Sequence, residues 1–136
     1  MGVKTQIPVL WGDMDALGHV NNTRFFVWFE SARIAYFHKI GMRVDDEVVE
    51  GPILASTQCN FRMPVEYPGE IEVETSVTKI GNTSFVMDFQ ARNRTKGDQE
   101  VANGSCVVVL VNYKSGEKIQ VSEKMRAAIE RVNAEG

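Results

Sequence analysis

The residues best suited to do chemistry lie between positions 13 and 22, where the chain reads DMDALGHVNN. Two carboxylates, Asp13 and Asp15, precede a long apolar segment. A carboxylate can act as a general base or as a nucleophile. A helix starting after the loop would place unpaired N–H groups and a partial positive charge beside these carboxylates. The pattern predicts an active site where the loop meets the helix.

Each polar residue of this loop also has a structural interpretation. Aspartate side chains in loops often accept hydrogen bonds from nearby backbone N–H groups, and we expect this role for Asp13. His19 is either a surface residue or one that lines the pocket and orients the loop. Asn21 or Asn22 is expected to cap the helix.

Residues 23–39 are predicted to form that helix, with Gly41 ending it. Apolar residues recur at helical spacing at positions 25, 28, 29, 32, 35 and 36, and Phe26, Ile34 and Phe37 widen the apolar face. A helix this apolar is expected to be covered on most sides.

Five segments are predicted to be strands: residues 5–11, 53–63, 70–80, 83–94 and 100–113. Pro8 lacks an N–H group, which places the first strand at a sheet edge. The last strand is apolar on both faces and is expected to be central and covered on both sides. A short amphipathic helix is predicted after Ser122.

Alternation within the strands predicts which side chains face the helix. The first predicted strand is expected to turn Ile7, Val9 and Trp11 to one face. In the predicted strand 53–63 the expected inward residues are Ile53, Ala55, Thr57, Cys59, Phe61 and Met63. In strand 70–80 they are Ile71, Val73, Thr75 and Val77, and in strand 83–94 they are Phe85, Met87, Phe89 and Ala91.

Length and composition restrict the class of protein. The 136 residues suit one domain spanning positions 1–136. The net charge of −3 argues against a nucleic-acid binder. Cys59 and Cys106 have no partner at metal-site spacing and are expected to be free thiols. No signal-peptide core and no apolar run of about 20 residues is present, so we expect a cytoplasmic protein without a membrane span.

The predicted order of elements is strand, long helix, four strands, short helix. This order favours an α+β fold in which an antiparallel five-stranded sheet wraps around one long central helix. An open sheet has edges that invite pairing, so a homodimer or a dimer of dimers is expected.

This order and the motif Asp13-x-Asp15-x-x-Gly18-His-Val-Asn-Asn22 resemble the hotdog-fold acyl-CoA thioesterases, in particular the 4-hydroxybenzoyl-CoA thioesterase-like branch. The resemblance implies that Asp15 is the essential carboxylate and that Gly18 is the motif glycine. It also implies that the backbone N–H of Asn22 polarises the thioester carbonyl. Family members often carry a histidine or aromatic residue at the position of Asn22, and a small apolar residue at that of His19.

The resemblance also implies where coenzyme A binds. Family members contact its nucleotide end through the turn between the third and fourth strands, which here contains Asn82, Thr83 and Ser84 and follows Lys79. The arginine run that some members carry there is absent. Arg62, Arg92 and Arg94 are alternative basic residues for the phosphates.

The sequence therefore predicts an acyl-CoA thioesterase that releases a free acid and CoA and needs no cofactor or metal. Asp15 would act as general base or nucleophile, and the two routes stay open. The alternatives are an acyl-carrier-protein thioesterase, a hydroxyacyl dehydratase of the same fold, and a non-catalytic acyl-CoA-binding module.

Overall fold

The computed structural model describes residues 2–135. Strand β1 spans Val3–Pro8, a 3₁₀ turn spans Trp11–Asp13, and helix α1 spans Asn22–Lys39. The remaining elements are β2 (Glu50–Phe61), β3 (Glu70–Ile80), β4 (Ser84–Asn93), β5 (Gln99–Asn112) and α2 (Glu123–Ala134). This is the predicted order of elements.

The five strands form one antiparallel sheet in the order β1-β3-β4-β5-β2. The predicted α+β architecture is confirmed, and β5 lies inside the sheet between β4 and β2, as predicted. Between Ser105 and Leu110, half-buried residues of β5 alternate with buried ones. The prediction that both faces are covered is therefore wrong: Val107 and Val109 are half-buried on the outer face, where they pair with the half-buried Val86 and the exposed Ile53.

Strand β1 was predicted to start two residues too late and to end three residues too late. Beyond Pro8 the chain no longer pairs with β3. The Asp13 carboxylate accepts a hydrogen bond from the N–H of Leu10 at the start of the 3₁₀ turn. Trp11, predicted to face inward, is therefore exposed. Because β1 pairs with β3 alone, Pro8 lies on an edge strand as predicted.

The predicted inward residues of β3 and β4 are all buried. The ring of Phe29 stacks on that of Phe89, with centroids 4.8 Å apart and planes 9° apart. Gly104 pairs with Phe89 across the β4–β5 ladder. A Cβ added at Gly104 would lie 2.9 Å from a ring carbon of Phe29. This glycine therefore lets the helix approach the sheet closely.

Part of the predicted inward face of β2 is wrong because of a bulge between Leu54 and Ser56. Thr57, Cys59 and Phe61 pair with helix-facing residues of β5, as expected. The extra residue in the bulge reverses the alternation, so Leu54 faces the helix side and Ile53 faces outward. A strict period of two cannot predict this reversal.

The bounds of α1 were predicted to within one residue. The Asn21 side chain accepts the N–H of Thr23 at 2.9 Å, so Asn21 is the cap and Asn22 is the first helical residue. Gly41 follows the helix with a φ of 82°, as its predicted role requires. However, Phe26 and Val27 are exposed, so within one chain the helix is not covered on most sides.

Helix α2 is amphipathic as predicted and buries Ala128, Ile129 and Val132. Its Asn133 exchanges two hydrogen bonds with the backbone of Val77, at 3.2 and 2.7 Å, beside a bulge in β3. The Tyr36 hydroxyl donates to the Asn133 side chain at 2.7 Å. Asn133 thus ties α1, β3 and α2 together.

Tyr36 provides a test of this junction, because burial raises the pKa of its hydroxyl to about 12. A free tyrosine titrates near pH 10, so its unfolded form loses the proton first. Stability is therefore complete below pH 10 and falls by roughly 2–3 kcal/mol as pH rises towards 12. We expect Tyr36→Phe to be slightly less stable at pH 8 and to lose less stability by pH 11. Urea unfolding of both proteins between pH 8 and 11 measures this; equal losses would contradict it.

Cys59 is half-buried and Cys106 is buried, and both are free as predicted. No helix within residues 2–135 is long and apolar enough to cross a membrane.

Candidate active site

The loop between the 3₁₀ turn and α1 is a tight hairpin. The Asp15 N–H donates to the His19 carbonyl at 2.8 Å, and the Gly18 N–H donates to the Asp15 carbonyl at 3.2 Å. Met14 and Val20, which flank this turn, form an isolated antiparallel β-bridge. Gly18 has a φ of 85°, a conformation that a β-carbon disfavours. Gly18 therefore shapes the hairpin that presents Asp15.

The Asp15 carboxylate is partly committed to its own loop. Its Oδ1 accepts the N–H of Leu17 at 2.9 Å and that of His19 at 3.4 Å. Its Oδ2 has no hydrogen-bond partner among the residues that the structure describes. One oxygen thus holds the carboxylate in place while the other stays free to accept a proton or to attack.

Asp13 has the structural role that was predicted. Its side chain is 2% exposed. Oδ2 accepts the N–H of Leu10 at 2.7 Å, and Oδ1 accepts the Nε–H of Arg24 at 2.8 Å. The Asp13 carbonyl also accepts the N–H of Asn21. Asp13 therefore fastens the loop to the first turn of α1.

The N-terminus of α1 has one unused donor. The Thr23 N–H is taken by the Asn21 side chain and the Arg24 N–H by the Asn21 carbonyl. The Asn22 N–H has no acceptor within residues 2–135. A helix N-terminus with a free N–H is suited to binding an oxygen that carries negative charge.

Asp15, His19 and Asn22 line one wall of a cleft of about 410 Å³. The opposite wall is the end of β2 and the segment after it, from Phe61 to Val65. The two walls are joined where the Val20 N–H donates to the Val65 carbonyl at 2.8 Å. The structure thus brings the predicted carboxylate and the predicted N–H donor to one cleft.

His19 and Gly18, the two other residues of this loop that were predicted to belong to the site, differ in position relative to the cleft. His19 lines the cleft, with its Nε2 3.9 Å from the Glu66 carboxylate, and both side chains are about half exposed. Gly18 is not among the lining residues. Its contribution is the turn that it forms.

The residues predicted to bind coenzyme A are not at this cleft within one chain. Lys79 and Asn82 are exposed, and Thr83 and Ser84 are half-buried, at the β3–β4 turn. The carbonyls of Asn82 and Thr83 accept N–H groups from Val121 and Leu110. β3 has 11 residues, so the turn lies roughly 30 Å from the strand end beside the cleft.

The three alternative basic residues differ in whether they already make an ion pair. Arg92 pairs with Glu74 at 3.3 Å, and Arg94 pairs with Asp98 at 2.8 Å. Arg62 lines the cleft and makes no ion pair within the described residues. Among these three arginines, Arg62 is therefore the one placed to meet an anion at the cleft.

Sequence reasoning missed the second wall of the cleft and the Asp13–Arg24 pair. The Val20–Val65 bond joins segments 45 residues apart, and no local pattern signals such a contact. The ion pair did have a signal, namely an arginine in the first turn of the predicted helix after a loop that contains two aspartates.

Residues 9–129 match the model of the thioesterase-like superfamily. The chain belongs to this superfamily. The PA2801 protein of Pseudomonas aeruginosa, for which a thioesterase activity has been suggested, is 32% identical, with a TM-score of 0.86 over 93% of this chain and 96% of that one. The hotdog fold is thereby confirmed, and the protein is a thioester hydrolase.

Two further solved structures belong to this set of thioesterases. A thioesterase of Thermus thermophilus, complexed with coenzyme A and zinc, is 25% identical, with a TM-score of 0.82 over 98% of this chain and 95% of that one. The DHNA-CoA thioesterase of Staphylococcus aureus is 20% identical, with a TM-score of 0.85 over 96% of this chain and 90% of that one. The latter likeness is one of fold.

Proposed function

We propose that this thioesterase hydrolyses an acyl- or aroyl-CoA to the free acid and CoA in the cleft between Asp15 and Phe61–Val65. The observation that carries the proposal is the free Asn22 N–H in the same cleft as the free oxygen of Asp15. Thioester hydrolysis needs one donor for the developing oxyanion and one group that supplies an oxygen nucleophile.

In one route, Asp15 takes a proton from water as the water oxygen attacks the carbonyl carbon. The Asn22 N–H donates to the resulting oxyanion. When the oxyanion collapses, the C–S bond breaks, and the CoA thiolate takes the proton from Asp15. In the other route, Asp15 attacks directly, CoA leaves, and water hydrolyses the mixed anhydride. Both routes use the same two groups.

Coenzyme A as the leaving group is supported by the related Thermus thermophilus thioesterase, which binds it. In this chain Arg62 is placed to pair with an anionic group at the cleft. Lys79, Asn82, Thr83 and Ser84 would contact the same CoA molecule if a second subunit brought its β3–β4 turn to the cleft.

A homodimer is part of this proposal, with a dimer of dimers as its larger form. Strand β2 is an edge of the sheet, so within residues 2–135 no other strand pairs with its outer side. Exposed apolar side chains lie along and beside it: Phe26, Val27, Ile53, Leu54, Phe61 and Met63. An unpaired edge with exposed apolar residues is a surface that favours association.

Leu54→Glu is expected to weaken this dimer at least about 100-fold, because association would bury an unpaired carboxylate. Val44→Glu is the matched control, since both side chains are 41% exposed. Sedimentation velocity across a dilution series measures the dissociation. A dimer that tolerates Leu54→Glu as well as Val44→Glu would place the interface elsewhere.

Thiol release from short, long and aromatic acyl-CoAs tests the proposed function. Turnover of at least one ester supports it. If no CoA ester is hydrolysed but an acyl-carrier-protein thioester is, the substrate is the carrier-bound thioester. Binding of an acyl-CoA without hydrolysis of either class of thioester would contradict the proposed substrates.

A further inference from the structure

A second groove lies at the opposite end of α1 from the cleft. It has a volume of about 430 Å³ and runs between the C-terminus of α1 and one side of α2. This volume is within the range of small-molecule sites. α1 has 18 residues, so the groove lies roughly 25 Å from Asn22.

Every charged side chain that lines this groove is basic. Lys39, Lys124 and Arg131 line it together with His38, and no carboxylate does. Within residues 2–135 none of these four side chains makes an ion pair. Such a cluster is notable in a chain whose net charge is −3.

Helix stability explains some of these charges but not all. His38, Lys39 and Arg131 lie in last helical turns, where cations interact favourably with the helix dipole. Lys124 is the second residue of α2, where a cation is unfavourable. Lys124 and Arg131 are seven residues apart and therefore lie on one stripe of the helix, on either side of Ala128.

The floor of the groove is apolar. Ile40, Met42, Met125 and Ala128 form it. Met42 and Met125 also line an adjoining cavity of about 200 Å³ whose wall includes Leu110 and Ile119. Glu50 lines only this adjoining cavity. Methionine side chains adapt their shape to irregular apolar ligands.

A basic rim over an extended apolar floor matches an amphiphilic anion. We propose that this groove binds a free aliphatic carboxylic acid, with the carboxylate between Lys124 and Arg131 and the chain along Met42 and Met125. The groove is separate from the cleft, so the acid would bind there without occupying the position of the thioester.

Methionine methyl NMR with decanoate below its micelle concentration tests the proposal. Met42 and Met125 report on the groove, Met63 on the cleft and Met87 on the buried core. We expect saturable shifts of Met42 and Met125, with a Kd of roughly 0.1–1 mM. Decyltrimethylammonium and decanol carry the same chain and are expected to bind at least about tenfold more weakly.

Lys124→Glu and, separately, Arg131→Glu are expected to weaken decanoate binding at least about tenfold. Lys96→Glu is the control, since Lys96 is exposed on the β4–β5 turn. Shifts confined to Met63, equal binding of decyltrimethylammonium, or no shift at several millimolar would each overturn the proposal. A change in sedimentation mass caused by Lys124→Glu would assign the groove to a contact between copies and also overturn it.

Discussion

Asp15→Asn is expected to lower kcat at least about 100-fold while leaving the free energy of unfolding within about 0.5 kcal/mol of the wild type. The amide oxygen of asparagine can still accept the N–H groups of Leu17 and His19 that Oδ1 now accepts. The loop therefore keeps its conformation. What changes is the free oxygen, which becomes an NH₂ group that can neither take a proton nor attack a carbonyl.

Asp13→Asn is the matched control, because it makes the same chemical change two residues away. Both carboxylate oxygens of Asp13 accept hydrogen bonds, so the new NH₂ group must face either the Leu10 N–H or the Arg24 Nε–H. We expect a loss of about 1–3 kcal/mol of stability. Thiol release and urea unfolding of both variants separate the roles. Equal kcat for Asp15→Asn and the wild type would remove Asp15 from the mechanism.

Asn22→Pro is expected to lower kcat by roughly 100- to 1000-fold with the helix intact, since it deletes the N–H proposed to bind the oxyanion. Proline is favoured at the first helical position. The residue before a proline must be extended, and Asn21 already has φ −62° and ψ 137°. No hydrogen bond within the described residues is lost, because the Asn22 N–H has no acceptor there.

Asn22→Ala is the control for the side chain, since it keeps the N–H. We expect its kcat to stay within about threefold of the wild type, because the cap is Asn21. Thiol-release kinetics, with circular dichroism to verify the helix, compare the two variants. Equal activity of Asn22→Pro and Asn22→Ala would show that the oxyanion donor lies elsewhere.

Features that depend on neighbours along the chain could be predicted from the sequence. The alternation in β3 and β4 and the helical spacing in α1 identified buried residues such as Val73, Phe89 and Phe29. The bulge in β2 could not be predicted in this way, because it is set by pairing with β5. Trp11 was misplaced because a side-chain bond from Asp13 diverts the chain after Pro8.

The candidate site was predictable in part for the same reason. Asp15 and Asn22 lie seven residues apart, so one loop and one helix start place both. The Phe61–Val65 wall comes from a distant segment. Residues of the β3–β4 turn, such as Asn82, lie at the far end of the sheet, and their roles stay predictions. Bringing them to a cleft needs a second chain, about which a single sequence says little.

The buried carboxylate of Asp13 has a consequence for motion during turnover. It bonds to both the start of the 3₁₀ turn and the first turn of α1, so pulling the loop from the helix would leave a charge buried without its partners. The loop that carries Asp15 is therefore unsuited to act as a lid. Asp15 and the Asn22 N–H would therefore keep their spacing through every cycle.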